Sequence, residues 1–245
     1  MKIAVTGKGG SGKTTIAFHL SRIYAKKNLN VIAVDADSSL NLASYFGHED
    51  QKPISSIKEL VDKRARISDV LVNLNPDVHD LIDEYSASIA ENLELLLLGG
   101  VNKAGSGCLC PENSLLRALM QELVLQRNEI VILDMEAGLE IMSRGTLRGI
   151  DAILVVTEPN LGSISVTKKL LEFSKELGIK NSYVIANKVD EEQLGYLSKS
   201  FDVFHALPFS PAVQKSSMDT KSEPESDGFQ KSLGELADKL LKNIK

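Results

Sequence analysis

Residues 7–14 have the residue types and the spacing of a phosphate-binding loop. They read G-K-G-G-S-G-K-T and fit the pattern G-x-x-x-x-G-K-[ST]. Glycines let consecutive backbone N–H groups turn inward around a phosphate, and the N-terminus of a following helix adds partial positive charge. In such a loop Lys13 reaches the β- and γ-phosphates of a nucleotide, and the Thr14 hydroxyl ligates Mg²⁺. The predicted nucleotide-binding residues here are Gly9, Gly10, Ser11, Gly12, Lys13, Thr14 and Thr15.

Two carboxylates follow apolar runs in the manner expected of nucleotide hydrolysis. Asp37 comes just after the run that ends at Asp35, and a carboxylate there can orient the attacking water or hold a Mg²⁺-bound water. Asp134 ends the run I-V-I-L-D, the Walker B pattern, which predicts a position near Mg²⁺. Each acid could instead cap a following helix, and for Asp35 this is the favoured interpretation.

The segment Asn187-Lys188-Val189-Asp190 bears on base recognition. It matches the N-K-x-D pattern that reads guanine in GTPases, but four positions with one wild card carry little information. Asp190 fits equally well as the N-cap of a helix predicted over residues 191–200. ATP and GTP both remain open at this point, with ATP preferred.

The two cysteines, Cys108 and Cys110, are separated by a single leucine. A soft divalent ion such as Zn²⁺ or Ni²⁺ takes about four ligands in a closed site, and one chain supplies two thiolates. A two-fold homodimer would bring four together, and metal affinity would then be linked to nucleotide state. Two structural cysteines or a redox-active pair are the alternatives.

The elements that must position these residues alternate along the chain. Short apolar runs predict strands, and amphipathic stretches between them predict helices, so we expect an α/β fold with a mostly parallel sheet of about seven strands and helices on both faces, a P-loop NTPase. No linker divides the chain, which predicts a single domain over residues 1–245. The predicted strands are residues 2–6, 31–35, 93–98, 129–134, 152–157, 182–187 and 202–207. The predicted helices are residues 13–27, 111–126, 167–177, 191–200 and 233–245.

Composition narrows the functional classes. The chain has 245 residues, a formal net charge of −5 and 43% hydrophobic residues, which is typical of a globular protein. No apolar run reaches the roughly 18 residues that span a bilayer, and no signal peptide is recognisable, so we expect a cytoplasmic protein without stable membrane association. The negative net charge disfavours nucleic-acid binding. The apolar stripe of the last predicted helix either covers the sheet, the preferred interpretation, or lies on a membrane surface.

The loop resembles that of the deviant Walker A ATPases, whose pattern is K-G-G-x-G-K-[ST]. That group includes septum-site and plasmid-partition ATPases and the nitrogenase iron protein. The resemblance implies an ATP-dependent homodimer in which Lys8 reaches across to the partner's phosphates. It also implies that Asp37 serves hydrolysis and that Asn187 contacts adenine, helped by a loop containing Pro208.

More specific segments resemble the CooC-type ATPases, which insert nickel into carbon monoxide dehydrogenase. They are G-S-G-C-L-C-P-E-N at residues 105–113, D-M-E-A-G-L-E at 134–140 and R-G-T at 144–146. The resemblance implies that Cys108 and Cys110 hold nickel, or Zn²⁺, at the dimer interface and that ATP hydrolysis drives delivery to the client enzyme. A sister group serves acetyl-CoA synthase, and a membrane- or partner-positioning ATPase of the septum-site type is the alternative function.

Overall fold

The structure is a computed structural model that describes residues 1–68, 71–99, 110–125, 127–137, 149–216 and 228–244. These residues form one sheet of eight strands, with helices between most of them. The strands are β1 (Lys2–Gly7), β2 (Val31–Asp35), β3 (Ala87–Ala90), β4 (Leu93–Leu97), β5 (Ile130–Asp134), β6 (Ala152–Thr157), β7 (Asn181–Asn187) and β8 (Val203–Leu207). The helices are α1 (Lys13–Lys26), α2 (Asn41–Tyr45), α3 (Lys58–Ala65), α4 (Leu81–Tyr85), α5 (Cys110–Leu125), α6 (Leu161–Glu176), α7 (Glu191–Ser198), α8 (Pro211–Ser216) and α9 (Gly228–Asn243), with a 3-10 turn at Ile54–Ser56.

The strand order is β3-β4-β2-β5-β1-β6-β7-β8, and every neighbouring pair is parallel except β3 with β4. The predicted α/β fold is confirmed. The expected strand number was one too low, because β3 is a four-residue edge strand. Its sequence, Ala-Ser-Ile-Ala, has a single β-branched residue and too few residues to show alternation.

Two helical layers cover the sheet. On one face α1, α2 and α9 pack in a cluster that includes Leu20, Ile132 and Leu236, and on the other α3, α4, α5 and α6 pack around Leu96, Leu119 and Leu133. The apolar stripe of α9 is buried in the first cluster, and Tyr24 of α1 donates a hydrogen bond to the Ala237 carbonyl (3.1 Å). The preferred interpretation, a helix that covers the sheet, is therefore confirmed. No helix in the described ranges is long and apolar enough to cross a membrane.

Helix α6 begins six residues before its predicted start. The side chain of Asn160 accepts a hydrogen bond from the Ser163 backbone N–H (2.9 Å) and caps the helix in the usual way. The first turns, L-G-S-I-S-V, contain a glycine and two serines, which weaken the helical pattern. The capping residue was the stronger signal for where this helix starts.

Candidate nucleotide-binding site

The predicted nucleotide residues gather at one edge of the sheet. The parallel strands β1, β2, β5, β6 and β7 all end there, as their registers require. Gly7, Asp134 and Asn187 are the last residues of their strands, and Lys13 is the first residue of α1. Ligands in open α/β sheets bind at this edge, so the topology assembles the site from segments far apart in sequence.

Two glycines of the loop are required by close approach. Gly12 has a φ of 95°, in the left-handed region, and a Cβ at that position would lie 2.3 Å from Asn187 Nδ2. At Gly7 a Cβ would lie 2.3 Å from the carbonyl oxygen of Val156 in the neighbouring strand. The loop therefore packs against β6 and β7 with no room for side chains at these points.

Asp37 faces the loop lysine. Its Oδ2 lies 3.7 Å from Lys13 Nζ, and its Oδ1 accepts hydrogen bonds from the backbone N–H and the hydroxyl of Ser39 (2.9 and 2.6 Å). Asp37 and Lys13 are both buried. The turn after β2 thus fixes one carboxylate oxygen and leaves the other beside the cation.

Asp134 is fully buried, and neither of its carboxylate oxygens has a hydrogen-bond partner within the described residues. Burial raises the pKa of Asp134 to about 6, although the nearby Thr14 hydroxyl and Lys13 ammonium oppose the shift. An orphaned buried carboxylate is costly unless a ligand engages it. The pair Asp134 and Thr14 supplies oxygen donors of the kind that hydrated Mg²⁺ prefers, so these residues fit that ion.

Asp35 has a structural role, as expected. Its two oxygens accept hydrogen bonds from the backbone N–H groups of Asp37 (3.2 Å) and Ala43 (3.1 Å), the latter in the first turn of α2. Burial and the neighbouring Asp134, its partner in the β2–β5 register, raise the pKa of Asp35 to about 7. Asp35 therefore shapes the turn that carries Asp37.

Asn187 fastens the phosphate loop to the end of β7. Its Nδ2 donates a hydrogen bond to the Ser11 carbonyl (2.7 Å), while its Oδ1 is buried without a partner among the described residues. The amide lines a cavity of about 390 Å³ that also includes Lys13, Pro208 and Phe209. The structure thus brings Asn187 and Pro208 together with the loop.

Lys188 is a site residue that sequence reasoning missed. Its ammonium donates a hydrogen bond to the Gly10 carbonyl (2.8 Å) and pairs with Glu158 Oε1 (2.8 Å) at the start of the β6–α6 connection. Its backbone has a φ of 59°, which is uncommon for a residue other than glycine. The N-K-x-D pattern contains Lys188, but nothing in the sequence pointed to contact with Gly10.

Asp190 is the N-cap of α7. It accepts a hydrogen bond from the Gln193 backbone N–H (2.8 Å), and the Gln193 side chain accepts one from the Asp190 backbone N–H (3.1 Å). This is a complete capping box. The capping interpretation of the sequence is confirmed.

Lys8 is exposed, and its ammonium forms no hydrogen bond or ion pair within the described part of the chain. Its side chain lies beside Gly162 in the first turn of α6, where a Cβ would be 3.4 Å from Lys8 Cε and 3.6 Å from Nζ. Lys8 therefore contacts the start of α6, whereas Lys13 pairs with Asp37.

The predicted metal ligands are only partly described. Cys108 lies outside the described residues. Residues 138–140 and 144–146, which belong to the other segments quoted above, also lie outside them. Cys110 is the first residue of α5, and the structure describes its backbone but not its side chain. Ser114, one turn later, donates a hydrogen bond to the Asn73 carbonyl (2.5 Å). No group of three or more potential metal ligands occurs in the described ranges. The cysteine site stays a prediction.

Comparisons with known proteins agree with this architecture. The model of the CobQ/CobB/MinD/ParA nucleotide binding domain matches residues 2–222. The chain is 38% identical to the carbon monoxide dehydrogenase accessory protein CooC of Rhodospirillum rubrum, over 87% of this chain and 86% of that protein. It is 40% identical to an uncharacterised ATP-binding protein of Methanocaldococcus jannaschii, over 88% of each. Among solved structures, the MinC:MinD cell division complex of Aquifex aeolicus matches with a TM-score of 0.71 at 17% identity, over 99% of this chain and 96% of that one.

Proposed function

The chain belongs to the CobQ/CobB/MinD/ParA nucleotide-binding family and is an ATPase of that family, and we propose that it acts as an ATP-dependent metallochaperone. In this proposal a homodimer binds a soft divalent metal, nickel, through Cys108 and Cys110 of both chains. ATP hydrolysis then drives insertion of the metal into a nickel enzyme, carbon monoxide dehydrogenase or acetyl-CoA synthase. The 38% identity to CooC over most of both chains is the observation that carries the client assignment.

Adenine is the base that suits Asn187. Because one Nδ2 hydrogen of Asn187 is donated to the Ser11 carbonyl, the amide is oriented with Oδ1 as the buried acceptor left to bind a ligand. An unpaired buried acceptor favours the amino group of adenine over the carbonyl oxygen of guanine. Asp190, the guanine-reading position of the GTPase pattern, is already engaged with Gln193. These contacts support ATP over GTP.

The phosphate end of the site supports hydrolysis. Thr14 and Asp134 would hold Mg²⁺, which when bound offsets charge on the phosphates. Lys13 would neutralise the β- and γ-phosphates, and Asp37, released from Lys13 by the incoming anion, would orient the attacking water. Lys8, which has no anionic partner in the described chain, would serve the nucleotide of the second chain.

The position of Cys110 supports a link between metal and nucleotide. Strand β4 ends at the same edge of the sheet as the phosphate loop, and α5 begins with Cys110 and leads back to β5, which ends at Asp134. The described chain therefore leaves β4 and begins α5 on the nucleotide side of the sheet. Closure of a dimer over the nucleotides would bring both cysteine pairs together.

Metal titration combined with a size measurement tests the proposal. With a non-hydrolysable ATP analogue and Mg²⁺ we expect a dimer that binds one Ni²⁺ per two chains, and without nucleotide we expect weak metal binding. The variant with Cys108→Ser and Cys110→Ser should lose this stoichiometric metal while it still binds the analogue.

His79→Ala is the matched control, because His79 is an exposed potential metal ligand paired with Glu122 (2.7 Å). It should retain the stoichiometric Ni²⁺. An unchanged metal ratio in the cysteine variant would refute the metal site, and failure of Lys8→Ala to prevent the nucleotide-driven dimer would refute the role of Lys8.

A further inference from the structure

A further cavity lies between α1, α2 and the edge strand β3, and we call it the α1–β3 groove. Its volume is about 510 Å³, and its apolar lining includes Phe18 of α1, Tyr45 and Phe46 of α2, and Ile89 of β3. The ring centroid of Phe18 lies 5.3 Å from that of Tyr45 and 4.8 Å from that of Phe46. The volume is typical of a small-molecule site, but aromatic rings where elements meet can serve packing alone.

The charged residues of the α1–β3 groove distinguish it from ordinary packing. Arg22 and Lys26 of α1 line the groove, and no aspartate or glutamate of the described residues does. The Arg22 guanidinium lies over the Phe18 ring, 5.4 Å from its centroid. Lys26 is exposed, and its ammonium forms no hydrogen bond or ion pair with any described residue. In a chain of net charge −5, two cations without a lining carboxylate favour an anionic ligand.

Tyr45 connects the α1–β3 groove to the nucleotide site. Its side chain lines both cavities, and its hydroxyl forms a hydrogen bond of 2.9 Å with the hydroxyl of Thr15, in which either group can donate. When Tyr45 donates, the Thr15 proton is left for a phosphate oxygen of the nucleotide. A ligand that fixes the Tyr45 ring in this position therefore favours nucleotide binding.

We propose that the α1–β3 groove binds a small organic anion with an aromatic or aliphatic body, and that this ligand strengthens nucleotide binding through Tyr45. The body packs against Phe18 and Phe46, and the anionic group lies at Arg22 and Lys26. Because coupling between two sites is reciprocal, bound nucleotide strengthens binding of the anion by the same factor. This inference goes beyond the proposed function and requires neither the dimer nor the metal site.

The first test uses anilinonaphthalene sulfonate, a fluorescent aromatic anion, with saturating ADP and Mg²⁺ so that the nucleotide cavity is filled. We expect one bound probe per chain. Lys26→Gln should weaken its binding about fivefold, since the variant loses a cation and keeps the length of the side chain. Phenylnaphthylamine, the neutral counterpart without the sulfonate, should bind the wild type and the variant equally. Lys175→Gln is the matched control, because Lys175 is an exposed lysine in the last turn of α6, as Lys26 is in the last turn of α1.

The second test fills the groove and breaks its link to the nucleotide. Ala25 is half-buried in the lining, so Ala25→Phe places a ring in the groove and should abolish probe binding. In the wild type, excess probe should tighten ADP binding about threefold or more, as measured by calorimetry. This effect should be absent in Ala25→Phe and in Tyr45→Phe, which keeps the aromatic ring and removes the hydroxyl.

The outcomes judge the site and its link separately. Probe binding that Lys26→Gln and Ala25→Phe leave unchanged, or that Lys175→Gln weakens equally, would overturn the site. An ADP affinity that the probe does not alter in the wild type would overturn the link through Tyr45. An equal change in Ala25→Phe would also overturn the link, because the probe would then act at the nucleotide cavity. The metal ratio and the nucleotide-driven dimer test the proposed function independently of these results.

Discussion

Buried polar groups lie at both edges of the sheet, but they are satisfied to very different degrees. At the edge where the strands begin, Lys2 is buried and its ammonium donates to the carbonyls of Arg127 (2.5 Å) and Glu129 (3.1 Å). Its backbone N–H donates to Asp151 (2.7 Å). At the edge where the strands end, Asp134 and Asn187 keep buried oxygens without partners in the described chain.

This difference separates polar groups that hold the fold from polar groups held ready for a ligand. A buried charge with its own carbonyl partners is stabilising or neutral, and its removal damages the fold. A buried carboxylate without partners is a cost to the ligand-free protein that only binding can offset. The comparison therefore predicts opposite consequences for substitutions at the two edges.

The largest expected effect comes from the two buried lysines. Lys13→Met should lower ATP hydrolysis by about 100-fold or more, because it removes the charge that faces the phosphates. Lys2→Met should leave hydrolysis close to the wild type and cost about 1–3 kcal/mol of unfolding free energy, since two carbonyls lose a charged donor. Phosphate release measures hydrolysis in both variants, and urea denaturation measures their free energy of unfolding. A comparable loss of activity in the two variants would contradict the assignment of Lys13 to the nucleotide site and of Lys2 to the fold.

Asp134→Asn should abolish Mg²⁺-dependent hydrolysis and yet stabilise the ligand-free protein. The pKa of Asp134 is raised to about 6, above the value of about 3.9 expected in the unfolded chain. The contribution of Asp134 to the stability of the wild type therefore falls as the pH rises from about 4 through about 6. The asparagine variant lacks this contribution, while both proteins keep that of Asp35, whose pKa burial also raises. We expect an advantage of about 3 kcal/mol for the variant at pH 7.5 and about 1 kcal/mol at pH 4.5.

Urea denaturation at the two pH values, without nucleotide or Mg²⁺, measures this difference. Glu129 is a carboxylate with a partner, and its hydrogen bond with Arg127 contributes to lowering its pKa. In contrast to Asp134→Asn, Glu129→Gln should therefore destabilise the protein at pH 7.5. A less stable Asp134→Asn variant at pH 7.5 would show that a partner satisfies Asp134 in the ligand-free state.

The sequence predicted the residues of the nucleotide edge better than their contacts. The phosphate loop, Asp37, Asp134 and Asn187 lie in short motifs at strand ends, and the alternation of strands and helices puts them at one edge. Lys188 binds Gly10 across 178 positions of the chain, and no local pattern encodes such a contact. Contacts between distant parts of the chain also explain why the sequence did not predict α3, α4 and β3. These elements are short and take their stability from packing on α5 and β4.

The smallest effect concerns Asp190, where a role in capping α7 can be told apart from a role in base recognition. Because Asp190 forms a capping box with Gln193, Asp190→Ala should cost about 1 kcal/mol of unfolding free energy. It should leave the ratio of ATP to GTP affinity unchanged, since the carboxylate is engaged in the cap. Asn187→Ala is the control and should reduce that ratio, because it removes the acceptor assigned to adenine. Competition binding with both nucleotides measures the ratio, and a selective loss of GTP affinity in Asp190→Ala would return this acid to base recognition and reopen GTP as the substrate.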